Sequence, residues 1–282
     1  MSREKRFSPF RNINFTMGLW ITLAILLIAL LSLGYTPFDP NRMNLSMRFQ
    51  APNSNHWLGT DQYGRDILSR VMKGAVNSMI VGVVAVSIGM GFGIFLGSLA
   101  AFYKKWVDET IMRISDVLYG FPAVLSAILI TSILGPGVVN SMMAIGIFNI
   151  PIFARLTRAT SLSVWERDFV ASAKAIGRSD AEIVWKHILP NILSPLIVQG
   201  TVQFAIAILA EAGLSYLGLG TQPPHASWGR MLQEAQTFMG TSPWLAIFPG
   251  CAIALAVLGF NLLGDGLRDM LDPKLARIQQ RI

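Results

Sequence analysis

Long apolar runs without Asp, Glu, Lys or Arg dominate the hydrophobic pattern of this chain. Five of them cover residues 12–38, 74–103, 117–154, 187–210 and 235–264. A helix needs about 20 apolar residues to cross the hydrocarbon core of a membrane. The third run contains Gly135-Pro136-Gly137, a turn sequence, and therefore predicts two helices. The pattern predicts six membrane-spanning helices, near residues 15–35, 76–103, 111–134, 138–154, 192–217 and 244–263.

The composition agrees with an all-α integral membrane protein. The mean hydropathy is +0.50, and only 14% of the 282 residues are charged, against about 25% in soluble domains. The one cysteine, Cys251, excludes an internal disulfide and a cysteine-based metal site. The net charge of +7 could indicate nucleic acid, but the basic residues lie beside apolar runs, so we expect no such partner.

The distribution of Lys and Arg predicts that both termini are cytoplasmic. With that orientation, 17 of the 23 basic residues fall in cytoplasmic segments and 6 in outer ones. Five of those six lie in the first outer loop, a mild exception. The first apolar run is too long for a signal peptide core and is read as retained. The chain then divides into a cytoplasmic tail (1–14), a first span (15–35), an outer loop (36–75), a five-helix core (76–268) and a cytoplasmic tail (269–282).

A polar island at residues 161–190 separates two apolar runs of the core. Its spacing predicts one helix over 161–176, and Gly177 ends that helix by adopting a left-handed conformation. Ser179 and Glu182 have the spacing of a capping box for a second helix. Pro190 either stops this second helix or starts the next one. One side carries only Ala, Ser and Gly and would fit a cleft in another protein. A solvated hairpin between spans is the alternative.

Several features of the outer loops and spans also predict structure. Gly59 and Gly64 bracket Asp61, which we expect to cap the helix leading into the second span. Trp228 is either an anchor at the membrane interface or, with Arg230, part of a docking surface for an outside protein.

Within the spans, small and polar residues carry the predictions. Gly89, Gly93 and Gly97 recur every four residues and predict close helix packing. Glu211 and Gln203, eight residues apart on one face, are candidates for the translocation path, because ionisable groups in a membrane usually face a cavity or the bundle interior.

Two further features concern charge pairing and helix continuity. Arg113 and Asp116 predict a neutralised pair at the start of the third span. Pro151 is expected to bend or weaken the fourth span.

The polar island resembles the EAA loop of ABC-importer permeases. That loop has Glu-Ala-Ala, three residues, Gly, nine residues, Ile, one residue and Leu-Pro. Ala171-Ser172-Ala173, Gly177 and Leu189-Pro190 stand in register with it, whereas Ala171 replaces Glu and His187 replaces Ile.

Three more segments are similar to the dipeptide, oligopeptide and nickel permease group, specifically to its shorter C-type subunit. They are GTDQYGRD at 59–66, AEAGLSYLGLGTQPPHASWGRML at 210–232 and NLLGDGLRDMLDP at 261–273. The resemblance extends over nearly the whole chain after about residue 37.

This resemblance implies a type I ABC importer permease fold in a bacterial inner membrane. The implied partners are a homologous B-type permease, two ABC ATPase subunits, an extracytoplasmic substrate-binding protein and membrane lipid. The cargo would be a peptide, a peptide-like solute or a nickel chelate. The residues that the resemblance assigns to ATPase coupling are Asp168, Phe169, Ala171, Ser172, Ala173, Gly177, Ser179, Asp180, His187 and Pro190.

No enzymatic site is expected in the chain itself. It has no Gly-Lys dipeptide, hence no Walker A loop, and no His-Glu-x-x-His motif. We therefore expect no cofactor, no metal, and ATP hydrolysis on separate subunits. The alternatives are an ion-coupled secondary transporter, which usually shows repeat symmetry that the two halves here lack, and a membrane-embedded enzyme, which needs clustered acidic, His or Cys residues.

Overall fold

The computed structural model describes residues 12–271, and every regular element in that range is helical, as predicted. The predicted tails fall largely outside these residues. The α-helices are α1 (Ile13–Gly34), α2 (Ile67–Tyr103), α3 (Lys105–Gly120), α4 (Ala123–Leu134), α5 (Val138–Trp165), α6 (Asp168–Ala175), α7 (Asp180–Ile183), α8 (Leu189–Tyr216), α9 (Trp228–Ala235) and α10 (Trp244–Leu271). Short 3₁₀ helices cover Leu45–Met47 and Gln236–Phe238, and a π-helix, Val184–Ile188, joins α7 to α8.

Five helical segments of the described chain are long and apolar enough to span a membrane: α1, α2, α5, α10 and the continuous segment Asp180–Tyr216 that ends with α8. The sixth predicted span is a bent pair instead. α3 and α4 meet at about 90°, so the helix predicted near 111–134 is broken in two. Pro122 explains the break, because it disfavours helical backbone in the residue before it, and Phe121 is extended.

Several helices extend beyond their predicted limits, and three of them do so by eight or more residues. α2 begins at Ile67 rather than 76, α5 runs to Trp165 rather than 154, and α10 reaches Leu271 rather than 263. Hydropathy marks the apolar part of a helix, whereas charged and polar turns continue the same helix beyond it. Pro151 lies inside α5 without ending it. The predicted turn at Gly135 does separate α4 from α5, with Gly135 at φ +91°.

Glycines set the closest helix contacts of the bundle. Gly89, Gly93 and Gly97 of α2 face α5 directly, and a Cβ on Gly93 would lie 2.9 Å from the Ile150 carbonyl oxygen. The predicted close packing of this face is therefore confirmed. α1 packs on α10 in the same way, because a Cβ on Gly259 would lie 2.7 Å from Cγ2 of Ile21. α8 packs against α2, α5 and α10.

The bundle has two distinct ends, and α2 runs from one to the other. Near its start, Gly74 lies against Trp228 of α9, whereas the ring centroid of Phe102 near its end is 6.3 Å from that of Trp165. We call the end that carries residues 35–66 and α9 the loop end. The end that carries α6 and α7 is the coupling end.

Candidate functional sites: the coupling surface and the loop end

The predicted helix over 161–176 is two helices in the structure. α5 ends at Trp165, Arg167 is extended at ψ 147°, and α6 starts at Asp168. Val164 and Val170 explain the break. Six residues apart, they would point about 120° apart on one straight helix, yet both are buried in the same cluster. The turn between them lets α5 and α6 bury their apolar faces together.

Gly177 ends α6 as the sequence predicts. Its φ is +80°. Its N–H donates to the Lys174 carbonyl at 2.9 Å, and the Arg178 N–H donates to the Ala173 carbonyl at 3.2 Å. This pair of bonds is the Schellman arrangement that closes a helix through a left-handed residue. The elbow between α6 and α7 is therefore fixed by backbone geometry.

Half of the predicted capping box forms at the start of α7. The Ser179 hydroxyl accepts from the Glu182 N–H at 3.3 Å. The Glu182 carboxylate, however, accepts from Arg178 at 2.5 Å and from Lys186 at 2.8 Å instead of from the Ser179 N–H. Two nearby cations attract it more strongly than one amide donor, so this part of the prediction was wrong.

The coupling surface consists of the exposed residues of α6, the Gly177 elbow, α7, the π-helix and the start of α8. Most of the side chains assigned to coupling are exposed there: Asp168, Phe169, Ala171, Ser172, Gly177, Ser179, Asp180 and Pro190. Ala173 is buried and His187 is half-buried, with its Nε2 buried and unbonded.

Sequence reasoning missed two large apolar side chains at this surface. Ile176 is 74% exposed and Trp185 is 73% exposed. Their exposure depends on which face the helices of this segment bury, and the sequence pattern alone does not indicate that face. An exposed Ile and Trp beside a small-residue face give the coupling surface the apolar anchors that protein interfaces use.

The coupling surface is firmly attached to the bundle. Val170 of α6 and Ile183 of α7 are fully buried in one cluster with Phe153 of α5 and Ile192 of α8. The π-helical turn continues into α8 with a hydrogen bond from the Leu189 N–H to the Val184 carbonyl. α6 and α7 therefore share one buried cluster with two long helices.

At the loop end, Asp66 rather than Asp61 caps α2, which corrects the sequence prediction. The Asp66 carboxylate accepts from the Ser69 N–H at 2.8 Å and lies 2.8 Å from Nδ1 of His56. Gly59 and Gly64 have φ values of +81° and +71° and shape the turns on either side of Asp61.

Asp61 belongs to a buried charge cluster that the sequence did not predict. Arg65 donates to Asp61 at 2.6 Å and to Glu234 of α9 at 2.7 Å, and Arg70 of α2 donates to Glu234 at 3.3 Å. Arg230 also donates to Glu234, at 3.2 Å. Asp61, Arg65 and Arg70 are buried. The cluster fastens the outer loop to α9 and α2, since a buried charge that lost its partner would be costly.

Trp228 forms part of the core, not of an exposed surface. It is 2% exposed, and its indole N–H donates to the Val71 carbonyl at 2.9 Å. Trp228 is therefore not an aromatic anchor at an interface, because Gly74 leaves room on α2 for the indole ring. Arg230 is half-buried and shares Glu234 with Arg65 and Arg70. The predicted part of Trp228 and Arg230 in docking an outside protein stays a prediction.

Glu211 and Gln203 are both buried inside this chain. The Glu211 carboxylate accepts from the hydroxyls of Ser215 and Thr221. Neither residue presents an open surface here, and their predicted role in lining a path stays a prediction.

Arg113 and Asp116 do not pair with each other, which corrects a further prediction. Arg113 donates to Glu109 one turn earlier at 2.6 Å, and Asp116 accepts from Arg155 of α5 at 2.5 Å. Arg158 of α5 also binds Asp108 of α3. Two ion pairs therefore hold α3 against α5.

Within residues 12–271, no group of three His, Cys, Asp or Glu residues could hold a metal ion.

Solved structures with the same fold are ABC transporter permeases. A chain of the inward-facing MetNI methionine ABC transporter aligns with a TM-score of 0.61 and 16% identity, and the match covers 72% of this chain and 96% of that one. A chain of an amino acid ABC transporter with histidines aligns with a TM-score of 0.52 over 76% of this chain and 94% of that one, at 16% identity. At these identities the likeness establishes the fold, which is that of ABC importer permeases.

Sequence relatives agree over most of the chain. The dipeptide transport system permease protein DppC of Alkalihalophilus pseudofirmus is 46% identical over 259 residues, which are 92% of this chain and 85% of that protein. The glutathione transport system permease protein GsiD of Pectobacterium atrosepticum is 47% identical over 238 residues, 84% of this chain and 77% of that protein. Residues 93–277 match the model of the family described as binding-protein-dependent transport system inner membrane component. The chain is thus a multi-pass inner-membrane permease, and it belongs to the binding-protein-dependent transport system inner membrane component family.

Proposed function

We propose that the chain is one of two homologous permease subunits of an ATP-driven importer for peptides or peptide-like solutes. Its coupling end faces the cytoplasm, and an ATPase subunit binds the coupling surface. A second ATPase subunit binds the partner permease. A substrate-binding protein delivers the cargo to the loop end from outside the cell.

The observation that carries this proposal is the combination of exposure and anchoring at α6. Phe169, Ile176 and Trp185 are open to a partner, whereas Val170 and Ile183 are buried against α5 and α8. A partner that displaces the exposed side would therefore move both long helices as rigid bodies, and such movements are a common way of switching between states.

Charge and chain direction support a cytoplasmic coupling end. Arg167, Lys174, Arg178 and Lys186 cluster there, as expected on the cytoplasmic side of a membrane. α10 starts at the loop end, where Leu245 packs with Met231 of α9, and therefore ends at the coupling end. The start of α1 lies there too, because the Asn12 side-chain amide donates to Asp269 at 3.1 Å. Both termini then face the cytoplasm.

The substrate class is drawn from the relatives. The names of two of them refer to dipeptide and to glutathione transport, and both solutes contain peptide bonds with free amino and carboxylate groups. A short peptide or a peptide-like solute is the cargo that these relatives have in common.

ATP hydrolysis is assigned to the partner subunits. Without a Gly-Lys dipeptide the chain has no Walker A loop to surround the phosphates. Membership of the permease family also argues against an ion-coupled secondary transporter, which needs no ATPase.

Reconstitution into liposomes tests the proposal. The chain, the proposed second permease and the two proposed ATPase subunits would be co-purified and supplied with the binding protein and labelled Ala-Ala, glutathione or a nickel–histidine chelate. We expect ATP-dependent uptake of at least one peptide and no ATP hydrolysis by this chain alone. Uptake driven by an ion gradient without ATP, or hydrolysis by the isolated chain, would overturn the proposal.

A further inference from the structure

Glu211 is a fully buried carboxylate, at 0% exposure, with no cationic partner. Its Oε1 accepts from the Ser215 hydroxyl at 2.6 Å and from the Thr221 hydroxyl at 3.3 Å. Its Oε2 is buried and has no hydrogen-bond partner in the described chain. Among residues 12–271, no Lys, Arg or His forms an ion pair with it. A carboxylate in this setting acts through the hydrogen bonds it accepts, because no opposite charge holds it.

The hydroxyl groups around Glu211 are oriented by the backbone. The Ser215 hydroxyl accepts from the Thr221 N–H at 2.9 Å, which leaves its own proton for Glu211. Thr221 therefore donates two hydrogen bonds here, from its N–H to the Ser215 hydroxyl and from its own hydroxyl to Glu211. Gly220 lies directly against Ser215, where a Cβ would be 2.9 Å from the Ser215 Cα. Together these contacts fix the turn 217–221 that follows α8.

That turn joins the end of α8 to the start of α5 at the loop end. The Leu219 carbonyl accepts from the Gly137 N–H at 3.0 Å and from the Ser141 hydroxyl at 3.3 Å, both at the start of α5. At Ala212, the residue after Glu211, α9 packs on α8 so closely that a Cβ on Gly229 would lie 2.6 Å from the Ala212 Cα. The turn therefore fixes how α5 meets α8, and α9 packs on α8 beside Glu211.

We propose that Glu211 is a positioning residue of the transporter. As a hydrogen-bond acceptor it holds the turn 217–221, so that the start of α5, the end of α8 and α9 move as one unit when the loop end opens and closes. It acts through Ser215 and Thr221 and does not contact the cargo. Its effect on uptake rests on the proposed function, whereas its effect on the turn does not.

The test compares Glu211→Gln with Glu211→Ala in the complete transporter. The Gln side chain keeps an oxygen that accepts both hydroxyl groups, and we expect uptake within about twofold of wild type. The Ala side chain leaves buried donors unpaired, and we expect the maximal uptake rate to fall about tenfold or more. The substrate concentration at half-maximal rate should not change in either variant. Thr221→Val, which removes one donor and keeps the carboxylate, should give an intermediate loss.

Hydrogen–deuterium exchange provides a readout that needs no transport. In Glu211→Ala, peptides that contain Thr221 and Gly137 should exchange faster than in wild type, whereas peptides from α6 should not. If Glu211→Gln is as defective as Glu211→Ala, or if Thr221 and Gly137 exchange at the wild-type rate in Glu211→Ala, the positioning role is overturned. A wild-type complex without ATP-dependent uptake would contradict the proposed function, and the exchange comparison would still decide the role of Glu211.

Discussion

Gly97 of α2 lies so close to Thr157 of α5 that a Cβ placed on Gly97 would come within 2.7 Å of the Thr157 Cβ. The backbone of Ala154 lies equally near. Because the neighbours are Cβ and backbone atoms rather than flexible side-chain ends, they cannot move aside easily. The contact between the two helices thus depends on the absence of a side chain at this position.

Replacing Gly97 with Ala should therefore destabilise the bundle. Overpacking of a close contact costs about 1–3 kcal/mol, so we expect a lower thermal midpoint for the purified complex in detergent. Gly91 is the matched control, since it lies in the same helix and a Cβ there would meet nothing within 4 Å. Gly91→Ala should leave the midpoint unchanged. Equal midpoints for the two variants would contradict the close packing of α2 on α5.

Trp228 and Trp57 at the loop end should respond differently to replacement by Ala. Trp228 is buried and hydrogen-bonded to Val71, so Trp228→Ala should cost about 3–5 kcal/mol and lower the folded yield. Trp57 is 71% exposed, and Trp57→Ala should leave the yield unchanged. Size-exclusion chromatography of fluorescently tagged variants measures both. A normal yield for Trp228→Ala would mean that its indole ring is not part of the core.

The buried charge cluster should be sensitive to the loss of one partner. Glu234→Gln removes the carboxylate that Arg65, Arg70 and Arg230 share and leaves Asp61 as the remaining acidic partner in the cluster, and breaking a buried pair costs about 3–5 kcal/mol. Glu109→Gln removes the partner of Arg113 at an exposed site and should change nothing measurable. Thermal midpoints of the two variants would be compared at low and high salt. A Glu234→Gln midpoint equal to that of Glu109→Gln would mean that the cluster does not fasten the loop to α9.

Local sequence signals predicted much of the fold. Apolar runs located the long helices, and glycine spacing located the α2–α5 contact. Gly177 was identified as the residue that ends α6, because its φ depends on neighbouring residues only. The break between α3 and α4 was missed although Pro122 is a local signal, because the apolar run continues through it.

Contacts between residues far apart in the chain could not be predicted from the sequence. Arg65 and Glu234 are 169 positions apart, and no feature of either segment indicates that these two side chains pair. From the sequence, Trp228 looks like an aromatic residue at the membrane interface. Its burial depends on Gly74, a residue distant in sequence that leaves room for the indole ring. The exposure of Ile176 and Trp185 likewise follows only from which face α6 and α7 bury, and that choice is made by the cluster around Val170 and Ile183.

Gly177 allows the effect of a partner to be separated from the effect of the backbone. A replacement there must adopt φ near +80°, which costs most L-residues, Ala and Trp included, about 1–2 kcal/mol. A Cβ at Gly177 would meet nothing within 4 Å in this chain. Gly177→Ala and Gly177→Trp therefore carry the same backbone cost, and neither clashes within the chain at the Cβ.

A greater loss in Gly177→Trp than in Gly177→Ala would have to come from another subunit. We expect Gly177→Ala to retain most ATPase binding, and Gly177→Trp to lose co-purification of the ATPase subunits or uptake while still inserting into the membrane. Gly177→Asn, which tolerates the left-handed backbone, should match wild type. The measurements are the ratio of ATPase to permease after affinity purification and the uptake rate. Equal ratios and rates for the Ala and Trp variants would place Gly177 outside the contact with the ATPase, because a bulky side chain that meets no partner has nothing to displace.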